Sequence, residues 1–384
     1  REMTRSLVES LVTDAVTTIA GRRGITEGIV REAVESSPLT PARALEAGLV
    51  DHIGYRDEAY AAALDAWGAD RDELRFVNRY QPKPDLGRAL SSRGRKKIGV
   101  VPVRGPIVTG RGSAGLTGAT VGSDVVDEHL RAALRDDDVV AVVLDVDSPG
   151  GSAVASDFIW RTVHQVRESG RPVVARMGGV AASGGYYVAM GADEIVALPS
   201  TLTGSIGVLG GKMVSQELYE KLGLVREIVA GTENTPMMNP AHRFTDEDWA
   251  RLNAWLDRIY LDFTTKAAAD RGMEYDQLES LAKGRVWTGV QALDHGLVDH
   301  LGGRRVAHER AAALAGVDVD DVDIVALSPT GLLARIMPAA SSESVGAPGG
   351  ARVAGPETLL KAALREFGVG VEGALSLPYR ISIF

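Results

Sequence analysis

The chain has 384 residues and a net charge of −9, with 45% hydrophobic and 24% charged residues. These values are typical of a soluble globular protein with two or more domains. The negative charge argues against nucleic acid as a partner. The chain has no cysteine, which excludes disulfides and thiolate metal sites. We expect neither a metal ion nor a cofactor, and no apolar run reaches the ~18 residues of a membrane span.

The N-terminal region contains the first copy of an internal repeat. Residues 44–54 read ALEAGLVDHIG and residues 292–302 read ALDHGLVDHLG, with eight of eleven positions identical. A long helical pattern precedes each copy, over 4–22 and 246–271. In the second domain, some 150 residues precede the helical pattern at 246–271. The first copy has no corresponding residues before its helical pattern. We therefore expect residues 1–80 to be the C-terminal part of a repeat domain that begins upstream of Arg1.

Three further regions follow along the chain. Residues 81–97 are rich in proline, glycine and basic residues, which predicts a linker. Residues 98–327 predict an α/β domain, and residues 328–384 a C-terminal extension that is partly flexible. Within the α/β domain, Ser123 is predicted to cap a helix that runs to Arg135. The other predicted elements are strands at 139–146, 172–176, 194–198 and 225–229 and helices at 152–168, 184–191, 214–222 and 246–271.

Two glycine turns follow neighbouring predicted strands. The first reads Ser148-Pro149-Gly150-Gly151, and the second surrounds Ser183 with four glycines. In open α/β sheets, substrates bind beyond the carboxyl ends of the strands. Amides of a first helical turn lack intrahelical partners, so Ser183 beside free N–H groups suits a nucleophile next to an oxyanion hole. The alternative is a serine that only caps its helix.

The motifs DSPGG, GGVAASGGYY, TLTGSIGVLGG and GRVWTGVQALDHGLVDHLGG occur in that order. With them the chain resembles the bacterial signal peptide peptidase (protease IV) family, in its long two-domain form. The resemblance implies a crotonase-like fold related to the Clp protease subunit, built from βαβ units in a superhelix. It also implies a membrane-associated serine endopeptidase with a Ser/Lys dyad that degrades cleaved signal peptides and other unstructured peptides.

The resemblance also assigns the site residues. Ser183 matches the nucleophile, and the amides of Gly184 and Gly151 match the oxyanion donors. Ser205 matches the serine that hydrogen-bonds the dyad lysine. For the complete protein, the resemblance implies a ring-shaped, tetramer-like homo-oligomer. It also implies attachment to the bacterial membrane through a segment upstream of this chain.

The general base is where the sequence departs from this pattern. A Clp-type histidine is not expected, because no histidine lies between Ser183 and His242. In single-domain relatives the lysine lies in a loop whose counterpart here, residues 231–240, contains none. In two-domain relatives it lies in the N-terminal domain, so we expect it upstream of Arg1. Lys212 is the one candidate inside the chain.

Two other functions remain open from the sequence. A crotonase-type acyl-CoA hydratase or hydrolase uses a similar pair of glycine turns but needs carboxylates at the site. A non-catalytic, degenerate peptidase scaffold is the other alternative, because the dyad lysine is not evident. Asp145 and Asp147 alternate along a predicted strand, where turn bonding is favoured over metal binding.

Overall fold

The computed structural model describes residues 1–37, 39–54, 56–68, 94–115, 118–223, 237–240, 243–327 and 375–376. The chain divides into two compact units, Arg1–Gly94 and Arg95–Phe384. The predicted strand at 225–229 and most of the predicted linker and C-terminal extension lie outside the described residues. Lys97, the last residue of the predicted linker, is instead the first residue of a strand.

The first unit is helical over its described residues. Its helices are α1 (Glu2–Arg23), α2 (Glu27–Glu35), α3 (Pro41–Glu46) and α4 (Arg56–Trp67). Thr26 and Thr40 cap α2 and α3 by accepting a hydrogen bond from a first-turn amide. A small core of Val16, Ala20 and Val30 joins α1 to α2.

The second unit has the α/β fold class that the sequence predicts. Its elements are β1 (Lys97–Arg104), β2 (Ile107–Val108), β3 (Ala114–Gly115), β4 (Gly118–Ala119), β5 (Val121–Gly122), α5 (Ser123–Arg135), β6 (Val139–Ser148), β7 (Gly150–Gly151), α6 (Ala153–Glu168), β8 (Val173–Ala182), α7 (Gly184–Met190), β9 (Glu194–Ala197), β10 (Leu202–Gly204), α8 (Gln216–Lys221), α9 (Asp246–Arg271), α10 (Tyr275–Leu281), β11 (Val286–Thr288), α11 (Gly289–Asp294), β12 (His300–Leu301), α12 (Arg304–Leu314), β13 (Asp323–Ala326) and β14 (Leu375–Ser376).

The main sheet has the strand order β11-β10-β8-β6-β1-β13, with β9 beside β8 and β12 beside β9. All its pairs are parallel except β10 with β11. The central strands are rich in valine because both faces of a parallel sheet are buried. A smaller sheet, β14-β7-β2-β5, lies where β6 ends.

Helices cover both faces of the main sheet. On one face, Leu130 of α5, Ile159 of α6 and Phe263 of α9 belong to the larger core. On the other face, Ala307 and Ala311 of α12 belong to the smaller core. Each large apolar side chain contributes about 1.5–3 kcal/mol when fully buried, so this packing stabilises the central strands β6 and β8.

Several element boundaries differ from the sequence prediction, and two of the differences involve serines singled out there. Strand β8 continues to Ala182 instead of ending at Arg176, so Ser183 follows the strand directly. The N-cap of α5 is Gly122, and Ser123 is the first helical residue. The Ser123 hydroxyl accepts a hydrogen bond from the amide of Gly110 at 3.2 Å instead of capping its own helix.

The repeated segments have the same local structure in each unit. α1 and α9 both end at a left-handed glycine. An arginine near the end of each helix donates to a glycine carbonyl and to both carboxylate oxygens of an aspartate in the repeated segment. The residues are Arg23, Gly48 and Asp51 in the first unit and Arg271, Gly296 and Asp299 in the second. In the part of the chain that the structure describes, no helix combines the length and apolarity of a membrane span.

Candidate active site

Ser183 occupies a strained backbone position between β8 and α7. Its φ of 54° and ψ of −119° lie in a region that non-glycine residues rarely adopt. Its amide donates to the carbonyl of Gly204 at 2.8 Å, and its carbonyl accepts from the amide of Tyr187 at 2.9 Å. Such a conformation costs about 1–3 kcal/mol, and it persists where the surrounding structure enforces it. Strained residues of this kind cluster at functional sites.

The Ser183 side chain makes no hydrogen bond that caps helix α7. The helix-cap alternative for this serine therefore has no support in the structure. The residue is only 1% exposed, and α7 behind it is entirely buried. The hydroxyl thus belongs to an enclosed site, and no cap interaction holds it.

The Ser-Pro-Gly-Gly turn is packed too closely for side chains at its glycines. A Cβ on Gly151 would lie 2.0 Å from the carbonyl oxygen of Ile107. The amide of Gly150 donates to the hydroxyl of Ser148 at 3.1 Å, which fixes the turn. Helix α6 begins directly after the turn, capped by the Ser152 side chain.

The two glycine turns lie against each other. A Cβ on Gly184 would lie 2.6 Å from the hydroxyl oxygen of Ser156 and 3.1 Å from the amide nitrogen of Gly151. A Cβ on Gly185 would lie 2.5 Å from the carbonyl oxygen of Ser148. The structure therefore brings together the first turn of α7, which follows Ser183, and the turn that carries Gly151.

Ser205 lies beside Ser183 at the ends of paired strands. Gly204 of β10 is in register with Ala182 of β8, and each serine follows one of these residues. Ser205 is 3% exposed and has a φ of 49°. Its amide donates to the carbonyl of Arg285 at 2.6 Å. Both serines thus have positive φ at one edge of the sheet.

Lys212 does not bind Ser183. Its ammonium donates to the carbonyls of Met237 at 2.7 Å and Asn239 at 3.0 Å, and lies 4.3 Å from the centre of the Phe244 ring. Burial lowers the pKa of Lys212 below its ordinary value. Among the residues that the structure describes, neither a lysine nor a histidine is hydrogen-bonded to Ser183. Of the loop at 231–240, which the resemblance singles out, residues 231–236 lie outside the described ranges.

Asp145 is a structural carboxylate. It is 3% exposed and pairs with Arg104 at 2.7 Å, Arg176 at 3.0 Å and Arg304 at 3.2 Å. Burial raises the pKa of Asp145, but the three guanidiniums outweigh burial and hold the pKa below its usual value. Asp147 accepts a hydrogen bond from the amide of Val180 at 3.2 Å. Over the described ranges, no group of three His, Asp or Glu side chains is placed to hold a metal ion.

A polar network behind helix α7 was not predicted from the sequence. The Tyr187 hydroxyl is hydrogen-bonded to Asp157 at 2.9 Å and to Asp262 at 2.8 Å. Lys266 binds both carboxylates and lies 4.6 Å from the centre of the Trp160 ring. Burial and the two carboxylates raise the pKa of Tyr187 well above its ordinary value. The network ties α7, and with it Ser183, to α6 and α9.

A strained serine next to two glycine turns, at the carboxyl edge of a parallel sheet, is typical of an α/β serine hydrolase.

Comparison with known proteins also finds peptidases. Peptidase family S49 matches residues 165–318. The chloroplastic serine protease SPPA of Arabidopsis thaliana is 34% identical over 307 residues, covering 78% of this chain and 45% of that protein. Protease 4 of Salmonella typhi is 32% identical over 295 residues, which cover 76% of this chain and 46% of that protein.

A shorter relative is covered more completely. A putative protease of Synechocystis is 35% identical over 230 residues, which cover 60% of this chain and 78% of that protein. Among solved structures, ClpP1 of Listeria monocytogenes is 15% identical with a TM-score of 0.35, covering 58% of this chain and 99% of that one. This chain belongs to the signal peptide peptidase (protease IV) family, within peptidase family S49. It spans about half the length of the longer curated relatives.

Proposed function

We propose that this chain carries the nucleophile and oxyanion hole of a serine endopeptidase. Ser183 is the nucleophile, and the amides of Gly184 and Gly151 are the oxyanion donors. The observation that carries the proposal is the strained backbone of Ser183, held against a second glycine turn that has no room for a side chain. Because the chain belongs to a family of peptidases, we propose that its substrates are peptides.

The proposed chemistry follows from this placement. The Ser183 oxygen attacks the scissile carbonyl carbon, and its proton passes to a general base. The carbonyl oxygen becomes an oxyanion, which the two amides stabilise by hydrogen bonds. The base then protonates the leaving amine as the C–N bond breaks, and water hydrolyses the acyl-enzyme by the same route in reverse. Removal of one oxyanion donor in such a site typically lowers the rate by 10²–10³.

We propose a lysine as the base, supplied by sequence that precedes these 384 residues in a longer protein. A lysine accepts a proton only when neutral, which requires burial to lower its pKa. Lys212 is partly buried, but its nitrogen is committed to two backbone carbonyls. Ser205 follows Gly204, which is paired with Ala182, the residue before Ser183. Ser205 is therefore close enough to Ser183 to orient a lysine that binds there.

The substrates we propose are cleaved signal peptides and other unstructured peptides, at a bacterial membrane and within a ring-shaped homo-oligomer. Family membership supports the substrate class. Extended peptides also suit a site whose walls are glycine backbone, because main-chain hydrogen bonds recognise peptides with little regard to their side chains.

The test is Ser183→Ala in the longer protein, with Ser169→Ala as the matched control. Ser169 is the C-cap residue that follows helix α6, and its hydroxyl donates to the carbonyl of Val166. We expect Ser183→Ala to abolish both hydrolysis of an unstructured peptide and labelling by a fluorophosphonate, with the fold unchanged by circular dichroism. Ser169→Ala should keep both activities. Normal hydrolysis by Ser183→Ala would refute the nucleophile, and turnover of acyl-CoA esters without labelling would favour the crotonase-type alternative.

A further inference from the structure

Helices α6 and α7 each begin at one of the two glycine turns, and a hydrogen bond joins the helices near those turns. Tyr187 lies four residues after Ser183, in the first turn of α7. Asp157 lies six residues after Gly151, in the second turn of α6. We propose that Tyr187 and Asp157 are positioning residues whose hydrogen bond sets the separation of the two oxyanion amides. The inference rests on the proposed function and adds two residues to it.

Packing holds the Tyr187 side chain in the place where it meets Asp157. The tyrosine is 2% exposed, and its hydroxyl lies 2.9 Å from a carboxylate oxygen of Asp157. The ring packs on Phe263 with 4.6 Å between the ring centres. It lies perpendicular to the Trp160 ring, with 6.4 Å between centres. Because two other rings confine this side chain, the hydrogen bond fixes α7 relative to α6.

On the α7 side, the bond acts on the peptide group between Ser183 and Gly184. The amide of Tyr187 donates to the carbonyl of Ser183 at 2.9 Å. Because a peptide bond is planar, the orientation of the Ser183 carbonyl also sets that of the Gly184 N–H. A shift of Tyr187 therefore re-aims one of the two proposed oxyanion donors.

On the α6 side, the residue before Asp157 reaches both turns. The amide of Ser156 donates to the carbonyl of Ser152 at 3.0 Å, and Ser152 directly follows Gly151. The hydroxyl oxygen of Ser156 lies 2.6 Å from where a Cβ of Gly184 would be. A shift of this part of α6 therefore changes the distance between the turns.

Lys266 lets two carboxylates lie beside one hydroxyl. The Tyr187 hydroxyl has one proton, and Asp262 of α9 also lies 2.8 Å from it. The Lys266 ammonium donates to both carboxylates and to the Tyr187 hydroxyl, which occupies its three N–H groups. Burial lowers the pKa of Lys266, but the hydrogen bonds to Asp157 and Asp262 outweigh burial and raise the pKa above its ordinary value. Lys266 therefore stays charged and holds the carboxylates, so we do not assign it as the general base.

The two carboxylates provide a matched comparison. Both bind the Tyr187 hydroxyl and Lys266, and the side chains of Asp157 and Asp262 are 47% and 52% exposed. Helix α6 begins at the Ser-Pro-Gly-Gly turn, whereas α9 begins after its cap residue Thr245. Loss of Asp157 thus breaks the link between the turns, whereas loss of Asp262 removes a similar hydrogen bond and leaves that link.

The kinetic test compares Asp157→Ala with Asp262→Ala in the longer protein. We expect Asp157→Ala to lower kcat for an unstructured peptide about tenfold with KM within about twofold, because the two amides act mainly on the oxyanion of the transition state. Asp262→Ala should keep kcat within about threefold. Equal losses of kcat in the two variants would overturn the inference, and so would a loss confined to KM.

Tyr187→Phe breaks the same link from the other helix and keeps the ring. We expect it to lower kcat about tenfold, with no further loss when it is combined with Asp157→Ala, because both changes remove one interaction. Tyr186→Phe is the matched control, since the Tyr186 hydroxyl donates to the carbonyl of Leu297, which is not part of α6. Its kcat should stay within about threefold. Losses that multiply in the double variant would overturn the pairing of Tyr187 with Asp157.

Hydrogen exchange measures the link without requiring catalysis. We expect Asp157→Ala to raise exchange several-fold in the peptides spanning residues 148–152 and 183–187, and Asp262→Ala to leave the first peptide within about twofold. Unchanged exchange in Asp157→Ala would overturn the link, and faster exchange with an unchanged kcat would overturn the positioning role. Absence of hydrolysis by the unsubstituted longer protein, with the exchange difference intact, would refute the peptidase function and support the link between the turns.

Discussion

The amide nitrogen of Gly151 lies 3.1 Å from the position that a Cβ on Gly184 would occupy. The two residues belong to different turns, which follow β6 and β8, two adjacent strands of the sheet. This contact depends on the absence of a side chain at Gly184. A methyl group there would push apart the two amides that the proposed mechanism aims at one oxygen atom.

Gly184→Ala is therefore expected to lower kcat/KM for peptide hydrolysis by at least 10²-fold in the longer protein. The new methyl group would lie 2.6 Å from the Ser156 hydroxyl oxygen and 3.1 Å from the amide nitrogen of Gly151, so the hydroxyl must rotate and the two turns must shift apart. We also expect a loss of stability of about 1–3 kcal/mol from overpacking. The measurements are steady-state kinetics and urea unfolding.

Gly179→Ala is the matched control for this substitution. The nearest atom to a Cβ at Gly179 is a carboxylate oxygen of Asp147 at 3.9 Å, which is an ordinary contact. Its kcat/KM should stay within a few-fold of the unsubstituted protein. Equal losses in the two variants would show that the contact between the turns is not what matters.

Much of this arrangement could be predicted from sequence because local signals carried it. Short stretches of sequence predict the valine-rich strand β6, the Ser-Pro-Gly-Gly turn and the glycine turn around Ser183, because their residue types favour these structures. The contact between the turns followed from one rule, that carboxyl ends of parallel strands share an edge. The sequence prediction ends β8 at Arg176 because Gly178 and Gly179 interrupt the strand pattern, whereas pairing with β10 keeps the strand extended to Ala182.

Other features depend on contacts between distant residues, which no local pattern reports. The partners of Tyr187 lie 30 and 75 residues away along the chain. Lys212 could be named as a candidate base from its position along the chain after Ser183, but its hydrogen bonds to Met237 and Asn239 required coordinates. The return of Leu375–Ser376 to β7 spans more than 200 residues and had no signal in the sequence of the tail.

Lys212→Ala should leave peptide hydrolysis by the longer protein within about threefold of normal. Its ammonium binds two carbonyls and the face of Phe244, so its loss removes packing and not a proton acceptor. We further expect purified residues 1–384 to be inactive on an unstructured peptide, because a serine hydroxyl needs a base within hydrogen-bond reach. Turnover by residues 1–384 equal to that of the longer protein, together with its loss in Lys212→Ala, would assign the base to Lys212.

Asp145→Asn is expected to destabilise the protein by about 2 kcal/mol at pH 7, because three arginines lose a charged acceptor. The pKa of Asp145 is lowered in the folded protein, so its stabilising effect is present above the unfolded pKa of about 3.9 and is lost as the pH falls through the folded value. The difference between the two proteins in urea unfolding should therefore be full above about pH 5 and shrink below about pH 4. Asp147→Asn, on the same strand, is the control and should cost less than half as much.

The repeated arginine and aspartate pairs give a prediction that compares the two units. Arg271 is 7% exposed and Asp299 is 30% exposed, whereas Arg23 and Asp51 are 28% and 71% exposed. Asp299 also accepts the amide of Ile195 at 2.7 Å, which joins the repeated segment to β9. We expect Asp299→Asn to cost about 2 kcal/mol, because it weakens a buried, charged hydrogen-bond network. Asp51→Asn should cost much less than Asp299→Asn, because solvent screens an exposed pair.

Hydrogen exchange resolves the two units within one protein and so measures both variants locally. Asp299→Asn should raise exchange in the peptides that contain Ile195 and Gly296 by more than tenfold. A loss of about 2 kcal/mol raises the opening equilibrium by such a factor, and exchange follows this equilibrium when reclosing is fast. Asp51→Asn should raise exchange around Gly48 by only a few-fold. Equal effects at the two sites would mean that burial does not distinguish the copies. The local stability of each repeated segment would then depend on its own arginine and aspartate and not on how deeply they are buried.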